Sequence, residues 1–194
     1  LVGVSAGTIT DSHASGDVVG NGDGSLGPEG RASKGNNTFG GLVGSASVGT
    51  IVNSNATGDV TAGQTVGGLV GSLGSFDGTA TVVNSTAAGA VTGSQLVGGL
   101  AGSISQGSVS NSAALGSVTG NDTVGGIVGF NGDQITESYA NTTVSGQDGV
   151  GGLVGSNSGN LSMSYATATV SGENRVGGLA GFNMGNVSIS YATA

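Results

Sequence analysis

The fold is decided by a stretch of sequence that occurs almost twice, as VGGLVGSNSGNLSMSYATATVSG at residues 150–172 and as VGGLAGFNMGNVSISYATA at residues 176–194. The second copy begins 26 residues after the first and keeps the same order of Gly-Gly, Asn, Ser and Tyr-Ala positions. Self-similarity at a short fixed period is the signature of a repeat architecture, in which each copy packs on its neighbours.

The same pattern extends back to the start of the chain. Gly-Gly pairs begin at residues 40, 67, 98, 125, 151 and 177, so the spacings are 27, 31, 27, 26 and 26 residues. A partial copy opens the chain, which gives seven copies with the first and the last incomplete. One serine recurs in every copy, at Ser12, Ser54, Ser85, Ser112, Ser138, Ser164 and Ser190.

Each copy holds three short apolar segments that are rich in Val, Ile and Thr and are separated by Gly, Ser and Asn, a pattern typical of β-strands. A unit of this length is too short for a propeller blade and cannot bury a face alone. Stacked coils bury this face, because each strand then pairs in parallel with its own copy above and below. The sequence therefore predicts an all-β fold, a single-stranded parallel β-solenoid (β-helix) of about seven coils of 26–27 residues.

The repeat covers the whole chain as one domain, residues 1–194, with a loop insertion at 19–39 and a shorter one at 73–78. The longer insertion carries two of the three basic residues, Arg31 and Lys34. Irregular loops on a regular scaffold are favoured places for specific contacts. A right-handed wind is expected from the chirality of parallel crossover connections.

Composition excludes several classes of protein. The chain has 43 glycines, one proline and no cysteine, and it is 36% hydrophobic, which fits neither collagen nor low-complexity disorder. Its net charge is −8 with only three basic residues, so we expect no nucleic-acid partner. No apolar run approaches the roughly 18 residues of a membrane span.

The strings GGLVG, GGLAG and GGIVG, followed by Gly/Asn turns and SYATA, resemble the GLUG-motif repeat. The resemblance covers the chain apart from residues 19–39 and is strongest over residues 125–194. GLUG repeats are found in large bacterial and some archaeal surface proteins, including adhesin-like proteins and accessory regions of secreted proteases. The resemblance implies an extracellular or cell-surface location and a stalk-like or adhesive role, and it supplies no catalytic residues.

Three columns are candidates for side-chain ladders along the stack. They comprise an aromatic, an amide and a hydroxyl set: Tyr139, Tyr165 and Tyr191; Asn131, Asn157 and Asn183; Ser138, Ser164 and Ser190. Stacked asparagines can form a chain of amide hydrogen bonds, which favours a structural interpretation of the second set. The tyrosines have two interpretations, either a stack that stabilises the fold or a strip on which a sugar could pack.

No set of residues predicts catalysis or metal binding. His13, the only histidine, shares a column with Asn55 and Thr86 and has only Asp11 nearby, which favours a structural or solvent-exposed role. The carboxylates are mostly scattered over different columns, so we predict no enzyme. We predict no cofactor, and the alternative of calcium bound at Asn21–Ser25 competes with an ordinary Gly/Asp turn.

A Thr-x-Thr pair at Thr167 and Thr169 is a pattern known on ice-binding solenoids. Its columns are interrupted by Leu115, Asn141 and Asp59, and a regular threonine array is missing. Ice binding is therefore not favoured.

The chain enters a copy at Leu1 and leaves one at Ala194, so we expect an unpaired strand edge at each end. Such edges invite pairing with flanking repeats or with another copy of the chain. The predicted function is a structural repeat module of an extracellular or cell-surface protein: an adhesin shaft, a stalk or a self-assembling filament subunit. The alternative is a carbohydrate-binding or adhesive module that uses the tyrosine ladder and the 19–39 loop to hold a glycan or another cell-surface ligand.

Overall fold

The computed structural model describes residues 2–20 and 37–193. Every regular element in these ranges is a β-strand, and the 33 strands are arranged as successive coils that each contain five strands until the last. We number the coils 1 to 7 along the chain.

The strands of coils 1 to 3 are β1 (Val2–Ser5), β2 (Ile9–Thr10), β3 (His13–Ala14), β4 (Val18–Val19), β5 (Thr38–Gly40), β6 (Val43–Ala46), β7 (Gly49–Val52), β8 (Asn55–Ala56), β9 (Val60–Thr61), β10 (Thr65–Gly67), β11 (Val70–Leu73), β12 (Ala80–Val83), β13 (Thr86–Ala87), β14 (Val91–Thr92) and β15 (Leu96–Gly98). Those of coils 4 and 5 are β16 (Ala101–Ile104), β17 (Gly107–Ser110), β18 (Ala113–Ala114), β19 (Val118–Thr119), β20 (Asp122–Gly125), β21 (Val128–Asn131), β22 (Gln134–Thr136), β23 (Tyr139–Ala140), β24 (Thr143–Ser145) and β25 (Asp148–Gly151). Those of coils 6 and 7 are β26 (Val154–Asn157), β27 (Asn160–Ser162), β28 (Tyr165–Thr167), β29 (Thr169–Ser171), β30 (Asn174–Gly177), β31 (Ala180–Asn183), β32 (Asn186–Ser188) and β33 (Tyr191–Thr193).

Five parallel sheets run along the stack, numbered 1 to 5 by the position of their strand within the coil. Sheets 1, 2 and 3 contain seven strands and sheets 4 and 5 contain six, and each strand pairs with the strand five positions later in the chain. This is six complete turns and part of a seventh. The predicted parallel β-solenoid is confirmed, and its predicted seven coils are close to the observed number.

Each coil has five strands where the sequence predicted three. Two of the five strands adjoin the Gly-Gly pair: β15 ends at its first glycine, Gly98, and β16 begins after Leu100. Glycine is unfavourable inside a strand, so these segments are typical of turns when they are considered alone. Their pairing depends on identical neighbours in the adjacent coils, such as Gly67 opposite Gly98.

The core is one continuous cluster of apolar side chains inside the coils. The leucine after each Gly-Gly pair points into it, and Leu69, Leu100 and Leu153 have no exposed surface. The glycines leave room for this packing. A Cβ added at Gly99 would lie 2.2 Å from the carbonyl oxygen of Gly126 in the next coil, so the close approach of the coils requires glycine there.

A left-handed corner precedes each ladder serine. The residue before the serine has a positive φ in every coil: Asp11 (47°), Asn53 (50°), Asn84 (51°), Asn111 (48°), Glu137 (49°), Met163 (48°) and Ile189 (49°). Asn and Asp adopt this conformation more readily than other non-glycine residues. The first four coils therefore have favourable residues at this corner, and the last three do not.

The two insertions fall at different corners. In the shorter insertion, 73–78, Leu73 ends β11 and residues 74–78 form a small loop with an antiparallel bridge between Ser75 and Gly78, in which Phe76 is 92% exposed. The longer insertion, 19–39, leaves the coil after β4 and returns at β5, and its residues 21–36 lie outside the described ranges.

Candidate functional site

The serine column forms a continuous hydrogen-bonded ladder. The backbone N–H of Ser112 donates to the Oγ of Ser138 (3.2 Å), and the N–H of Ser138 donates to the Oγ of Ser164 (3.1 Å). Each hydroxyl in turn donates to the carbonyl two residues earlier, as Ser138 does to Thr136 (2.8 Å). The ladder satisfies N–H groups that the left-handed corner turns away from the sheets.

The asparagine column lies at the corner between sheets 1 and 2. Asn131 Nδ2 donates to Asn157 Oδ1, and Asn157 Nδ2 donates to Asn183 Oδ1, both at 2.7 Å. Asn131 and Asn157 have no exposed surface, and the same column holds Leu73 and Ile104 in coils 3 and 4. At this corner, the apolar side chains of coils 3 and 4 are thus replaced by asparagines from coil 5 onward.

The three tyrosines stack on the outer face of sheet 3. The ring centroids of Tyr139 and Tyr165 are 5.2 Å apart and those of Tyr165 and Tyr191 are 5.3 Å apart, with planes within 5° and 6° of parallel. The ring faces are therefore turned toward each other, and the ring edges and hydroxyl groups face outward. A sugar cannot pack on the inner faces while this stack is intact.

Beside the tyrosine stack lies an open groove of about 380 Å³ at the corner between sheets 3 and 4. Ten residues of coils 4 to 7 line it: Leu115, Gly116, Ser117, Asn141, Thr142, Thr143, Thr167, Ala168, Thr169 and Thr193. None of these residues carries a charge, and seven of the ten have a hydroxyl or amide side chain.

The remaining candidates do not converge on reactive chemistry. His13 Nδ1 lies 2.5 Å from Asn55 Oδ1, in a polar surface depression of coils 1 to 3 that also includes Asp11 and Asn53. Over residues 2–20 and 37–193, no three His, Cys, Asp or Glu side chains are placed to share a metal ion. The proposed calcium segment, Asn21–Ser25, lies outside the described residues.

One ion pair joins coils 5 and 6. Arg175 Nε donates to Asp148 Oδ1 at 2.7 Å, and the guanidinium carbon lies 5.5 Å from the centre of the Phe182 ring. The hydrogen bond from Arg175 lowers the pKa of the Asp148 carboxyl below its ordinary value. Asp148 therefore stays ionised at neutral pH, and its contribution to stability is lost as the pH falls through the lowered pKa.

The predicted ladder residues are in register in the structure, and other functional candidates emerge only in three dimensions. Thr167 and Thr169 line the groove together with Asn141, Thr142 and Thr143, whereas the sequence pattern presents Asn141 only as an interruption of the threonine column and gives no role to Thr142 and Thr143. The signal that could have found them is the loss of the corner glycine of the earlier copies, Gly58, Gly89 and Gly116, which becomes Thr142 and Ala168 in the later ones.

Among the described residues, no helix has the length and apolarity needed to cross a membrane.

Comparison with known families identifies the GLUG motif at two positions, residues 93–119 and 146–171. Each match spans about one coil and begins in the turn that precedes a Gly-Gly pair. No curated protein and no solved structure matches the chain. The motif, its repetition and the solenoid fold are those of a structural repeat, and they point to no known enzyme family.

Proposed function

We propose that this chain is a structural repeat module of an extracellular or cell-surface protein, used as an adhesin shaft, a stalk or a filament subunit. The observation that carries this proposal is the pairing of every strand with its own copy in the next coil, as in Val66 with Val97 and Val97 with Val124. A stack of this kind grows along one axis without a change in its cross-section. A shaft or filament must extend along one axis in this way.

The location is supported by the motif and by the composition. The chain carries two GLUG motifs, and these resemble the repeats of bacterial surface proteins. The absence of cysteine and the net charge of −8 suit a chain that remains soluble in an oxidising exterior. Catalysis forms no part of the proposal, because the described side chains do not assemble an acid, a base and a nucleophile.

The location can be tested on intact cells of the natural source. Antibodies raised against the folded chain should label unpermeabilised cells or the secreted fraction. A cytoplasmic protein of the same cells serves as the control and should be labelled only after permeabilisation. Labelling of this chain that also requires permeabilisation would contradict the proposal.

Coil 7 exposes an apolar core position that the inner coils bury. Val187 is 40% exposed in coil 7, whereas the matching Ile135 of coil 5 is fully buried. We propose that further repeats, from flanking sequence or a second copy of the chain, cover this surface. In sedimentation velocity, Val187→Lys should weaken the concentration-dependent association of the isolated chain. The control, Val48→Lys, changes a comparably exposed residue of coil 2 (44%) and should leave the association unchanged. Equal association of both variants and the unmodified chain would contradict pairing between copies.

A further inference from the structure

The corner between sheets 3 and 4 changes shape after coil 4. In coils 2 to 4 the corner residue is Gly58, Gly89 or Gly116, and a Cβ at Gly116 would lie 2.0 Å from the carbonyl oxygen of Gly89. Thr142 and Ala168 occupy this position in coils 5 and 6, where both are buried (7% and 5% exposed). The backbone has therefore been rearranged to admit an inward side chain.

In coils 5 and 6 a pair of polar side chains faces outward, one on each side of this inward residue. Alternate residues of an extended chain point to opposite sides, so an inward Thr142 places Asn141 and Thr143 outward. The next coil repeats this with Ala168 inward and Thr167 and Thr169 exposed. In the strand pairing, Thr143 lies directly opposite Thr169.

These side chains form two parallel rows along the groove. The first row is Asn141, Thr167 and Thr193, and the second is Thr143 and Thr169. Thr167 and Thr193 are in weak contact, with their hydroxyl oxygens 3.4 Å apart. The buried hydroxyl of Thr142 beneath them has no hydrogen-bond partner in the structure. The floor and both walls of the groove therefore carry unused hydrogen-bonding capacity.

The tyrosine stack extends one wall of the groove. Tyr139, Tyr165 and Tyr191 lie two residues before Asn141, Thr167 and Thr193, on the same outward face of sheet 3. Their phenol edges add aromatic surface and hydroxyl groups at the same repeat along the axis. The four coils that contribute to the groove span about 14 Å at the usual spacing of parallel strands.

We propose that this groove binds a linear, uncharged polysaccharide whose chain runs parallel to the axis of the solenoid. Hydroxyl and amide side chains, with the phenol hydroxyl groups along one wall, match the hydroxyl groups of sugar rings. The lining has no charge to balance an ionised sugar, and the chain carries a net charge of −8, which disfavours polyanions. The repeat of about 4.8 Å between coils is close to the rise of one sugar unit in an extended chain.

The proposal differs from a sugar platform on the ring faces of the tyrosines. Those faces are occupied within the stack, and only their edges reach the groove. It also does not depend on the 19–39 loop, which belongs to a different part of the stack. Binding of a polysaccharide is separate from a shaft role, and failure of one would leave the other unaffected.

Affinity gel electrophoresis of the full chain tests the proposal. Separate gels contain hydroxyethylcellulose or arabinoxylan as uncharged polysaccharides, and polygalacturonate as the charged one. We expect retardation by at least one uncharged polysaccharide and none by polygalacturonate. The double variant Thr167→Val/Thr169→Val should weaken the retardation at least five-fold, because valine keeps the shape of threonine and removes the hydroxyl group.

The matched control is Thr92→Val/Thr119→Val, which removes two exposed hydroxyl groups from sheet 4 outside the groove. This variant should be retarded as strongly as the unmodified chain. Thermal unfolding of both double variants shows whether either has lost its fold, and Tyr165→Phe supplies a second, milder test of the groove wall. Absence of retardation by both uncharged polysaccharides would overturn the proposal. So would equal retardation of the groove variant, or preferential binding of polygalacturonate.

Discussion

At the scale of single residues, stability depends on side chains that replace missing backbone partners. Ser138 is 1% exposed, and its hydroxyl accepts the N–H of Ser112 and donates to the carbonyl of Thr136. A buried N–H without a partner costs the free energy of its desolvation. The ladder serines are therefore part of the backbone hydrogen-bond network.

Replacement of Ser138 by alanine tests this role. Ser138→Ala leaves the Ser112 N–H without an acceptor and should lower the free energy of unfolding by about 1–3 kcal/mol. The control is Ser117→Ala, because Ser117 is exposed and its side chain makes no hydrogen bond in the structure. Chemical unfolding followed by circular dichroism measures both. Equal stability of the two variants would show that the ladder hydroxyl is dispensable.

The left-handed corner offers a substitution that should stabilise the fold. Met163 has a φ of 48°, a conformation that asparagine tolerates better than methionine. Met163→Asn should raise the free energy of unfolding by about 1 kcal/mol. Leu115→Asn is the matched control, because Leu115 is similarly exposed (43% against 47%) and has no positive φ. If both substitutions raised the free energy of unfolding equally, the cause would be the more polar surface and not the backbone conformation at Met163.

At the scale of strands and turns, the stack contains a junction between two kinds of coil. Ile104 pairs with Asn131 and Ser108 pairs with Gln134, so coil 4 has three residues between these two positions and coil 5 has two. In coils 2 and 3 the first N–H of the sheet 2 strand donates to a backbone carbonyl of the next coil, as Gly49 does to Thr79 (3.2 Å). At the junction the N–H of Gly107 instead donates to the carboxylate of Asp133 (2.7 Å).

Asp133 is therefore predicted to hold the two kinds of coil together. Asp133→Ala removes the acceptor from the buried Gly107 N–H and should cost about 1–3 kcal/mol of stability. Asp133→Asn keeps a side-chain oxygen at the same distance from the backbone and should retain most of that stability. Thermal unfolding with hydrogen exchange at Gly107 separates the two. Unchanged protection of Gly107 in Asp133→Ala would refute the junction role.

At the scale of the whole molecule, each coil contacts chiefly its two neighbours, so stability is close to a sum of coil and interface contributions. Inner coils bury their core-facing apolar side chains completely, as Val97 and Ile127 show. The last coil buries less, and the core position Val187 in coil 7 is 40% exposed. The exposed core position in coil 7 is the observation behind the proposed pairing of coils, which the Val187 variant tests.

The solenoid, its seven copies and the register of its ladders were predictable because each strand pairs with its own copy. Backbone hydrogen bonds then place identical sequence positions above one another, so a repeat in the sequence becomes a column in space. Ser138 over Ser164 and Tyr139 over Tyr165 follow from counting residues. The predicted ladder of Asn131, Asn157 and Asn183 likewise lies in one column.

Only the tertiary structure decided the five strands per coil, the left-handed corner and the groove. The Gly-Gly strands exist because neighbouring coils supply their hydrogen bonds, which outweighs the low strand propensity of glycine. The groove exists because Thr142 and Ala168 turn inward where earlier coils hold glycine, and that choice depends on the space between coils. The sequence alone determined which residues stack, whereas packing between the coils determined how each corner bends and which side chains face the solvent.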